Sequence, residues 1–249
     1  APAGRRRIAA VNAPILEVRG AHGGYGDLTI LHGIDLALPP ACWATIIGAN
    51  GAGKSTLLRL VAGTVECRQG GVRYDGADVT RVAPIDRLKA GIGFVPQGRC
   101  NFPLLSVAEN LALGAYTRRL PAAERAAEIE RVIARFPKLR ERWRTMAGNL
   151  SGGEQQLLET AMVLMTRPKL LLLDEPSLGL SPGAMDTVFE LIRALVTDGI
   201  TVLMVEQNAR QALEACDLGI VLELGRVGLV EPAGQVLSHP EIRRLFLGL

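Results

Sequence analysis

Cysteine, histidine and aromatic residues are scarce in this chain of 249 residues, which holds four cysteines, three histidines and 4% aromatic residues. The cysteines form no CxxC pair and are scattered along the chain, at Cys42, Cys67, Cys100 and Cys216. This pattern indicates neither a disulfide framework nor a zinc site, and it fits a reducing cytoplasm. The histidines form no ligand cluster either. With so few aromatic side chains, leucine, valine, isoleucine and alanine must build the core, for which an apolar fraction of 48% is ample.

Long apolar runs are also missing. No stretch reaches the roughly 18–20 apolar residues that a helix needs to cross a bilayer. Arg5-Arg6-Arg7 is the only dense basic run, and the apolar segment of a signal peptide is absent next to it. We interpret residues 1–14 as a flexible leader, with contact to anionic lipid as the alternative. We therefore expect a chain that is soluble by itself, so that any membrane role needs partner chains.

The spacing of apolar residues predicts an α/β fold. Short apolar runs predict strands at residues 15–18, 36–38, 43–47, 72–74, 92–95, 170–173 and 200–205, and a hairpin of 219–224 with 227–230. Helical spacing predicts helices from Lys54, at 107–116, 122–135 and 153–165, after Ser181-Pro182, at 209–215 and after Pro240. Because strands alternate with helices, we expect a mainly parallel sheet in one domain over residues 15–249. Strand signals vanish between about 98 and 166, which predicts an inserted helical subdomain.

Residues 48–55 match the phosphate-loop pattern GxxxxGK[ST] without a gap, in Gly48, Ala49, Asn50, Gly51, Ala52, Gly53, Lys54 and Ser55. A predicted strand precedes them and a predicted helix follows, as the pattern requires. Glycines let backbone N–H groups converge on phosphate oxygens at a helix N-terminus. Lys54 can reach the β- and γ-phosphates, Ser55 offers a hydroxyl to Mg²⁺, and Thr56 ends the predicted nucleotide-binding segment. The alternative is a simple glycine turn, which has no use for the Lys54-Ser55 pair.

Two carboxylates, Asp174 and Glu175, follow the apolar run at 170–173. A strand of this kind brings Asp174 to the phosphate end of the sheet, where it can hold Mg²⁺ through water. Glu175 can polarise the attacking water or act as general base. Two solvated carboxylates at a strand end are the alternative, which the phosphate loop disfavours.

Residues 150–156 read LSGGEQQ. Ser151 and Glu154 have the spacing of a capping box and predict the start of a helix. A cap does not require Gly152 and Gly153, whereas glycines at a helix N-terminus make a phosphate-binding surface. With this segment the sequence clearly resembles the ABC ATPase family, from about residue 15 to 249. The resemblance implies a P-loop NTPase core, an N-terminal antiparallel β subdomain and a head-to-tail dimer. In that dimer, residues 151–154 of one subunit close on the ATP held by the other.

Four more positions take expected roles only through this resemblance. Tyr25 resembles the aromatic residue that stacks on adenine, with a surface tyrosine as the alternative. Gln97 resembles the glutamine that touches Mg²⁺ or the attacking water and senses the membrane domains. Residues 178–181 occupy the position of the loop that contacts the other subunit. Gln207 stands where a switch histidine is usual, and an amide can hydrogen-bond the γ-phosphate but takes up no proton as imidazole does.

At two positions the sequence departs from the family pattern, which weakens the transfer of family roles to these residues. Ser181 ends the loop at 178–181, where many family members have aspartate. Met162 lies in the helix predicted at 153–165, at a position where arginine is usual. The sequence does not say what replaces the contacts of that arginine.

The amino-acid sequence of four segments resembles one subgroup, the second ATP-binding subunit of branched-chain amino acid importers. These segments are residues 95–99, 174–180, 205–208 and 246–249. This resemblance implies ATP and Mg²⁺ as cofactors and a peripheral location at the cytoplasmic face of the inner membrane. It implies as partners a second ATP-binding subunit, two permease subunits and, indirectly, a solute-binding protein. A heterodimer is expected, with a homodimer as the alternative. Glutamine in place of the switch histidine is a trait of this subgroup.

Three other functions remain open at this level. Importers of urea, short amides or other amino acids share the scaffold. A soluble ABC ATPase acting on DNA or ribosomes would show two cassettes, a coiled-coil insert or a strongly basic face, whereas the net charge here is only +3 and is spread along the chain. A P-loop phosphoryl-transfer enzyme would have no use for residues 150–156. We therefore expect no nucleic-acid partner.

Overall fold

Two β-sheets form the frame of the molecule. The computed structural model describes residues 13–246, so Arg5-Arg6-Arg7, nearly all of the predicted leader and residues 247–249 lie outside the described part. The first sheet is antiparallel, in the order β2-β1-β4-β5, with β1 at Leu16–Tyr25, β2 at Leu28–Leu38, β4 at Cys67–Tyr74 and β5 at Ala77–Asp78. The second has the order β10-β9-β3-β8-β7-β6. Its strands are β3 Trp43–Ile47, β6 Ile92–Val95, β7 Leu170–Asp174, β8 Thr201–Val205, β9 Leu218–Glu223 and β10 Arg226–Pro232.

The second sheet is parallel from β9 to β6, and only β10 runs antiparallel, paired with β9. The helices are α1 Lys54–Ala62, α2 Pro84–Ala90, α3 Val107–Gly114, α4 Ala122–Ile133, α5 Pro137–Glu141, α6 Gly152–Leu164, α7 Pro182–Thr197, α8 Ala209–Ala215, α9 Ala233–Ser238 and α10 Pro240–Phe246. Within residues 13–246, none of these helices has both the length and the apolarity to cross a membrane. The predicted α/β fold with a mainly parallel sheet and an N-terminal antiparallel sheet is confirmed.

The two larger apolar cores lie on the two faces of the parallel sheet, and a third, smaller core packs α8, α9 and α10 against β3 and β9. One packs the antiparallel sheet and α1 against one face. The other packs α3 to α7 against the opposite face. Strands β3, β7 and β8 are buried along their whole length because both faces are covered. This explains why the leucine run at 170–173 carries no polar alternation.

Helices alone make up the regular structure between β6 and β7, apart from a single bridge between Ser106 and Met146. The boundaries of a helical subdomain, at about 98 and 166, stay a prediction. Helix α7 begins at Pro182 as predicted, but the Ser181 side chain makes no capping hydrogen bond. The main-chain oxygen of Ser181 instead accepts the N–H groups of Ala184 and Met185.

The sequence underestimates the first two strands and misses three short helices. The predicted runs at 15–18 and 36–38 are only the apolar ends of β1 and β2. Their remaining residues include glycines and the cross-strand pair His22 and His32, which single-sequence rules do not favour in strands. Pairing with β2 and β4 supplies what the local sequence lacks. The missed helices α2, α5 and α9 have seven residues or fewer, too short for a helical period to stand out.

Candidate active site

The phosphate loop joins β3 to α1, and two of its glycines are required by the packing around it. Gly53 has φ +100°, and a Cβ atom there would lie 3.0 Å from Leu31 Cδ2. A Cβ atom on Gly48 would lie 2.2 Å from the main-chain oxygen of Leu222. The loop therefore passes against β9 so closely that no side chain fits. A glycine-rich loop that leads into a helix N-terminus in this way is suited to binding an anion.

Lys54 is folded back onto the loop that it follows. Its buried Nζ donates to the main-chain oxygens of Gly48, at 2.8 Å, and Ala49, at 3.0 Å. Burial lowers the pKa of Lys54, while the nearby carboxylates of Glu175 and Asp174 act in the opposite direction. The ammonium group is thus held at the loop by weak neutral acceptors, which a phosphate oxygen can replace.

Asp174 and Ser55 face each other where β7 meets the start of α1. Ser55 Oγ donates to Asp174 Oδ1 at 2.7 Å. The second carboxylate oxygen, Oδ2, is buried and has no hydrogen-bond partner within the described residues. A buried carboxylate oxygen without a partner is costly unless a ligand or water meets it. A hydroxyl beside a carboxylate suits Mg²⁺, which takes few protein ligands and completes its shell with water and phosphate.

Glu175 has a strained backbone, and a hydrogen bond from Gln97 orients its side chain. Its φ is +53°, unusual for a residue with a Cβ atom and a feature that clusters at functional sites. Its main-chain N–H donates to the oxygen of Val205, and Gln97 Nε2 donates to Glu175 Oε2 at 2.7 Å. Burial raises the pKa of Glu175, and the carboxylates of Asp174 and Glu206 add to this, against Lys54 and Gln97. A carboxyl with a raised pKa is a better proton acceptor than a solvated one.

A cavity of about 420 Å³ brings half of the predicted site residues together. It is lined by Ile30, Asn50, Gly51, Gly53, Lys54, Ser55, Thr56, Gln97, Glu175, Leu178 and Gln207. The predicted water-directing groups thus face the predicted phosphate loop across one space. Asp174 lies behind Ser55 rather than in the wall.

Tyr25 lies at the end of β1, outside the residues that line this cavity. It is 43% exposed, and its hydroxyl accepts a hydrogen bond from Arg59 Nη1 on α1 at 3.0 Å. The ring is thereby tethered to the helix that carries Lys54 and Ser55. Its role against adenine stays a prediction.

Residues 151–154 form the capping box expected of them. Glu154 N donates to Ser151 Oγ, and Ser151 N donates to a carboxylate oxygen of Glu154 at 2.8 Å. The box opens α6 at Gly152, and none of these four residues is among those lining the cavity. Within one chain the helix N-terminus therefore has no phosphate loop to act on.

Met162 packs into the helical core. Glu159, on the same helix α6, makes polar contacts with the loop that follows Gln97 in the chain. Glu159 is buried, and its Oε1 accepts from Cys100 N at 2.9 Å and from Asn101 Nδ2 at 2.7 Å. The structure thus shows how the helix is tied to that loop without an arginine at 162.

Sequence reasoning missed Glu206, which adjoins Gln207. Its carboxylate is 2% exposed and accepts the N–H groups of Ser177, at 3.0 Å, and of Gln207, at 2.9 Å. A signal was present, because Glu206 follows the apolar strand β8 just as Asp174 ends the apolar strand β7. Polar residues at the carboxyl ends of adjacent parallel strands meet at one edge of the sheet.

Comparison with known proteins gives consistent matches. The family model described as ABC transporter matches residues 31–178. BraG of Pseudomonas aeruginosa, a high-affinity branched-chain amino acid transport ATP-binding protein, is 41% identical over 224 residues, covering 90% of this chain and 95% of BraG. LivF of Archaeoglobus fulgidus, a probable branched-chain amino acid transport ATP-binding protein, is 37% identical, covering 92% of this chain and 96% of LivF.

Among solved structures, the ADP conformation of MJ1267, an ATP-binding cassette of an ABC transporter, matches with a TM-score of 0.84 at 26% identity. The match covers 96% of this chain and all of that chain. The fold is thus shared with this cassette over nearly the full length of the chain.

Proposed function

The chain belongs to the ABC transporter family of ATP-binding proteins, and we propose that it is the subunit that powers a membrane importer of branched-chain amino acids. The observation that carries the proposal is the cavity in which Gln97, Glu175 and Gln207 face the phosphate loop. The solute is inferred from the similarity to BraG and LivF.

In this mechanism Glu175 accepts the proton of the attacking water. Gln97 donates to Oε2, which fixes the carboxylate and leaves Oε1 as the oxygen available to the water. The raised pKa of Glu175, caused first by burial, makes the proton transfer easier than it would be for a solvated glutamate. Lys54 exchanges its main-chain acceptors for phosphate oxygens.

The site is suited to Mg²⁺ at Ser55, Asp174 and Gln97. When bound, the ion would neutralise charge on the phosphate oxygens. The unpartnered Asp174 Oδ2 and the neighbouring Ser55 hydroxyl support this assignment.

The complete site requires a second ATP-binding subunit. The exposed N-terminus of α6, with Ser151, Gly152, Gly153 and Glu154, supplies what the cavity of one chain lacks. Helix dipoles and free N–H groups favour an anion there. We infer a head-to-tail dimer, peripheral to the membrane at its cytoplasmic face, that drives two permease subunits.

The two composite sites of this dimer are unequal, because Gln207 lacks the proton-accepting imidazole that a histidine-bearing partner would supply. Turnover per site should therefore differ between this chain alone and this chain mixed with its partner. Equal turnover per site in both samples would contradict the inequality.

Transport of radiolabelled leucine in cells that contain the assembled transporter tests the solute. Uptake should need an active ATPase, disappear in Glu175→Gln, and be suppressed by unlabelled isoleucine or valine. Suppression by urea or acetamide, with none by isoleucine or valine, would move the assignment to an amide importer.

A further inference from the structure

A buried carboxylate joins two loops at the edge of the cavity. Glu206 follows β8 directly, and Oε1 accepts from Ser177 N at 3.0 Å. The other oxygen, Oε2, accepts from Gln207 N at 2.9 Å and from Asn208 N at 3.4 Å. Among the described residues, no lysine or arginine forms an ion pair with Glu206, although it is only 2% exposed. Main-chain N–H groups alone satisfy it.

The two loops joined in this way flank the proposed base. Residues 176–181 follow Glu175 and carry Leu178, which lines the cavity and is 54% exposed. The other loop presents Gln207 to the same cavity. Strands β7 and β8 are already paired at Asp174 and Val205, so Glu206 continues the connection one step past the last strand pair.

We propose that Glu206 is a positioning residue that holds Gln207 and the loop at 176–181 in a fixed arrangement around Glu175. The inference rests on the roles proposed above for Glu175 and Gln207. A purely structural role as a strand end would predict lower stability with unchanged chemistry, and the experiments separate the two.

The chemistry of the side chain explains why a glutamate stands there. A carboxylate has two acceptor oxygens and can serve both loops at once. In Glu206→Gln one of these oxygens becomes an NH₂ group, which meets an N–H donor and releases one loop. In Glu206→Asp the charge remains, but the side chain is one methylene shorter and does not span both loops. Both variants should therefore break the same connection by different means.

The first experiment measures ATP turnover of the full chain assembled with the second ATP-binding subunit of its transporter, and nucleotide affinity of the full chain. Glu206→Gln and Glu206→Asp should each lower kcat at least tenfold and change the Kd for a fluorescent ATP analogue less than twofold, because Lys54 and the phosphate loop are untouched. Glu128→Gln is the matched control, since Glu128 is also a buried carboxylate, 3% exposed, but lies in α4. It should keep kcat within twofold below its melting temperature.

Full turnover in either Glu206 variant would overturn the proposal. So would a fall in kcat that the Glu128→Gln control reproduces. If Glu206→Gln does not fold, Glu206→Asp decides the matter on the same criteria.

A double-mutant cycle then tests whether Glu206 acts through Gln207. The loss of kcat caused by Glu206→Asp should be smaller in a Gln207→Ala background than in the unmodified chain, because the group being positioned is already gone. Equal fold-losses in the two backgrounds would contradict positioning. Glu175→Gln is measured alongside: if that variant keeps full turnover, the proposed function fails, whatever the Glu206 variants do.

Discussion

At the scale of single residues, Glu175 is where the strain, the hydrogen bonds and the charges of the site converge. It has a left-handed backbone, a hydrogen bond from Gln97 and a pKa raised by burial. Glu175→Gln keeps the shape and removes the base, so kcat should fall about 10²- to 10⁴-fold. Nucleotide affinity should be retained because Lys54 and Asp174 remain. The rate of phosphate release measures kcat, and a nucleotide titration measures the affinity. Unimpaired turnover would refute the role of Glu175.

The pH dependence of turnover follows from the same residue. The pKa of Glu175 is raised, so the base loses its proton at a higher pH than a free glutamate, whose pKa is about 4.3. As the pH is lowered, turnover should therefore already fall at a pH above about 4.3. A profile of kcat against pH, with circular dichroism showing that the fold persists, checks this. An acid limb at or below the ordinary glutamate value would contradict the assignment.

Local sequence patterns propose the site residues, but they do not predict which residues these contact in the fold. The phosphate loop and the Asp174-Glu175 pair are contiguous patterns whose chemistry is local. The contact between Gln97 and Glu175 joins residues 78 positions apart, and Glu206 bridges segments 29 positions apart. Such contacts depend on strand order, with β6 and β7 adjacent and β7 beside β8, which no local pattern contains.

At the scale of elements, α4 is attached to the start of β7 by a buried carboxylate with three arginines. Glu128 is paired with Arg131 in its own helix, with Arg167 before β7 and with Arg118. Burial by itself would raise the pKa of Glu128, but hydrogen bonds from Arg167 and Arg131 outweigh it and lower the pKa to about 2. The charged residues of this helix would by themselves predict an exposed face, but Glu128 is buried because its arginine partners allow it.

This cluster predicts how stability depends on pH. Because the folded pKa of Glu128 lies below the value of the unfolded chain, its contribution is complete above about pH 4.3. It is lost as the pH falls through about 2. Glu128→Gln should lower the free energy of unfolding by about 3 kcal/mol at pH 7, since it leaves arginines without a buried partner.

Urea unfolding of both proteins at pH 7 and at several pH values down to about 2 measures this effect. The difference between them should shrink as the medium becomes more acidic. A difference that stays constant over that range would show that the ion pairs are not its source.

The elements that sequence predicted well are those whose signal is local and strong. The bounds of β3 and β6 were predicted to the residue, because each is a short apolar run flanked by turn residues. The glycine-rich half of β1 is held as a strand by pairing with β2 and β4, across bulges. Its sequence alone favours a loop, so tertiary pairing decides the structure there.

At the scale of the whole molecule, one chain contains the two proposed halves of an ATP site but does not join them. The phosphate loop, Gln97 and Glu175 face one cavity, whereas the glycines of residues 151–154 open α6 outside it. Exposed Leu178 and half-buried Leu180 lie on the loop between the two regions, beside a second, smaller cavity that includes Gly152. An incomplete site of this kind explains why hydrolysis would depend on a second subunit.

The association state under MgATP tests this account most directly. Light scattering would give the mass of Glu175→Gln, alone and with the second ATP-binding subunit of its transporter, with and without nucleotide. MgATP should produce a particle with the mass of two cassettes in at least one sample, and Gly153→Asp, which places a carboxylate at the start of α6, should abolish it. Particles of one cassette in both samples at saturating MgATP would contradict the composite site.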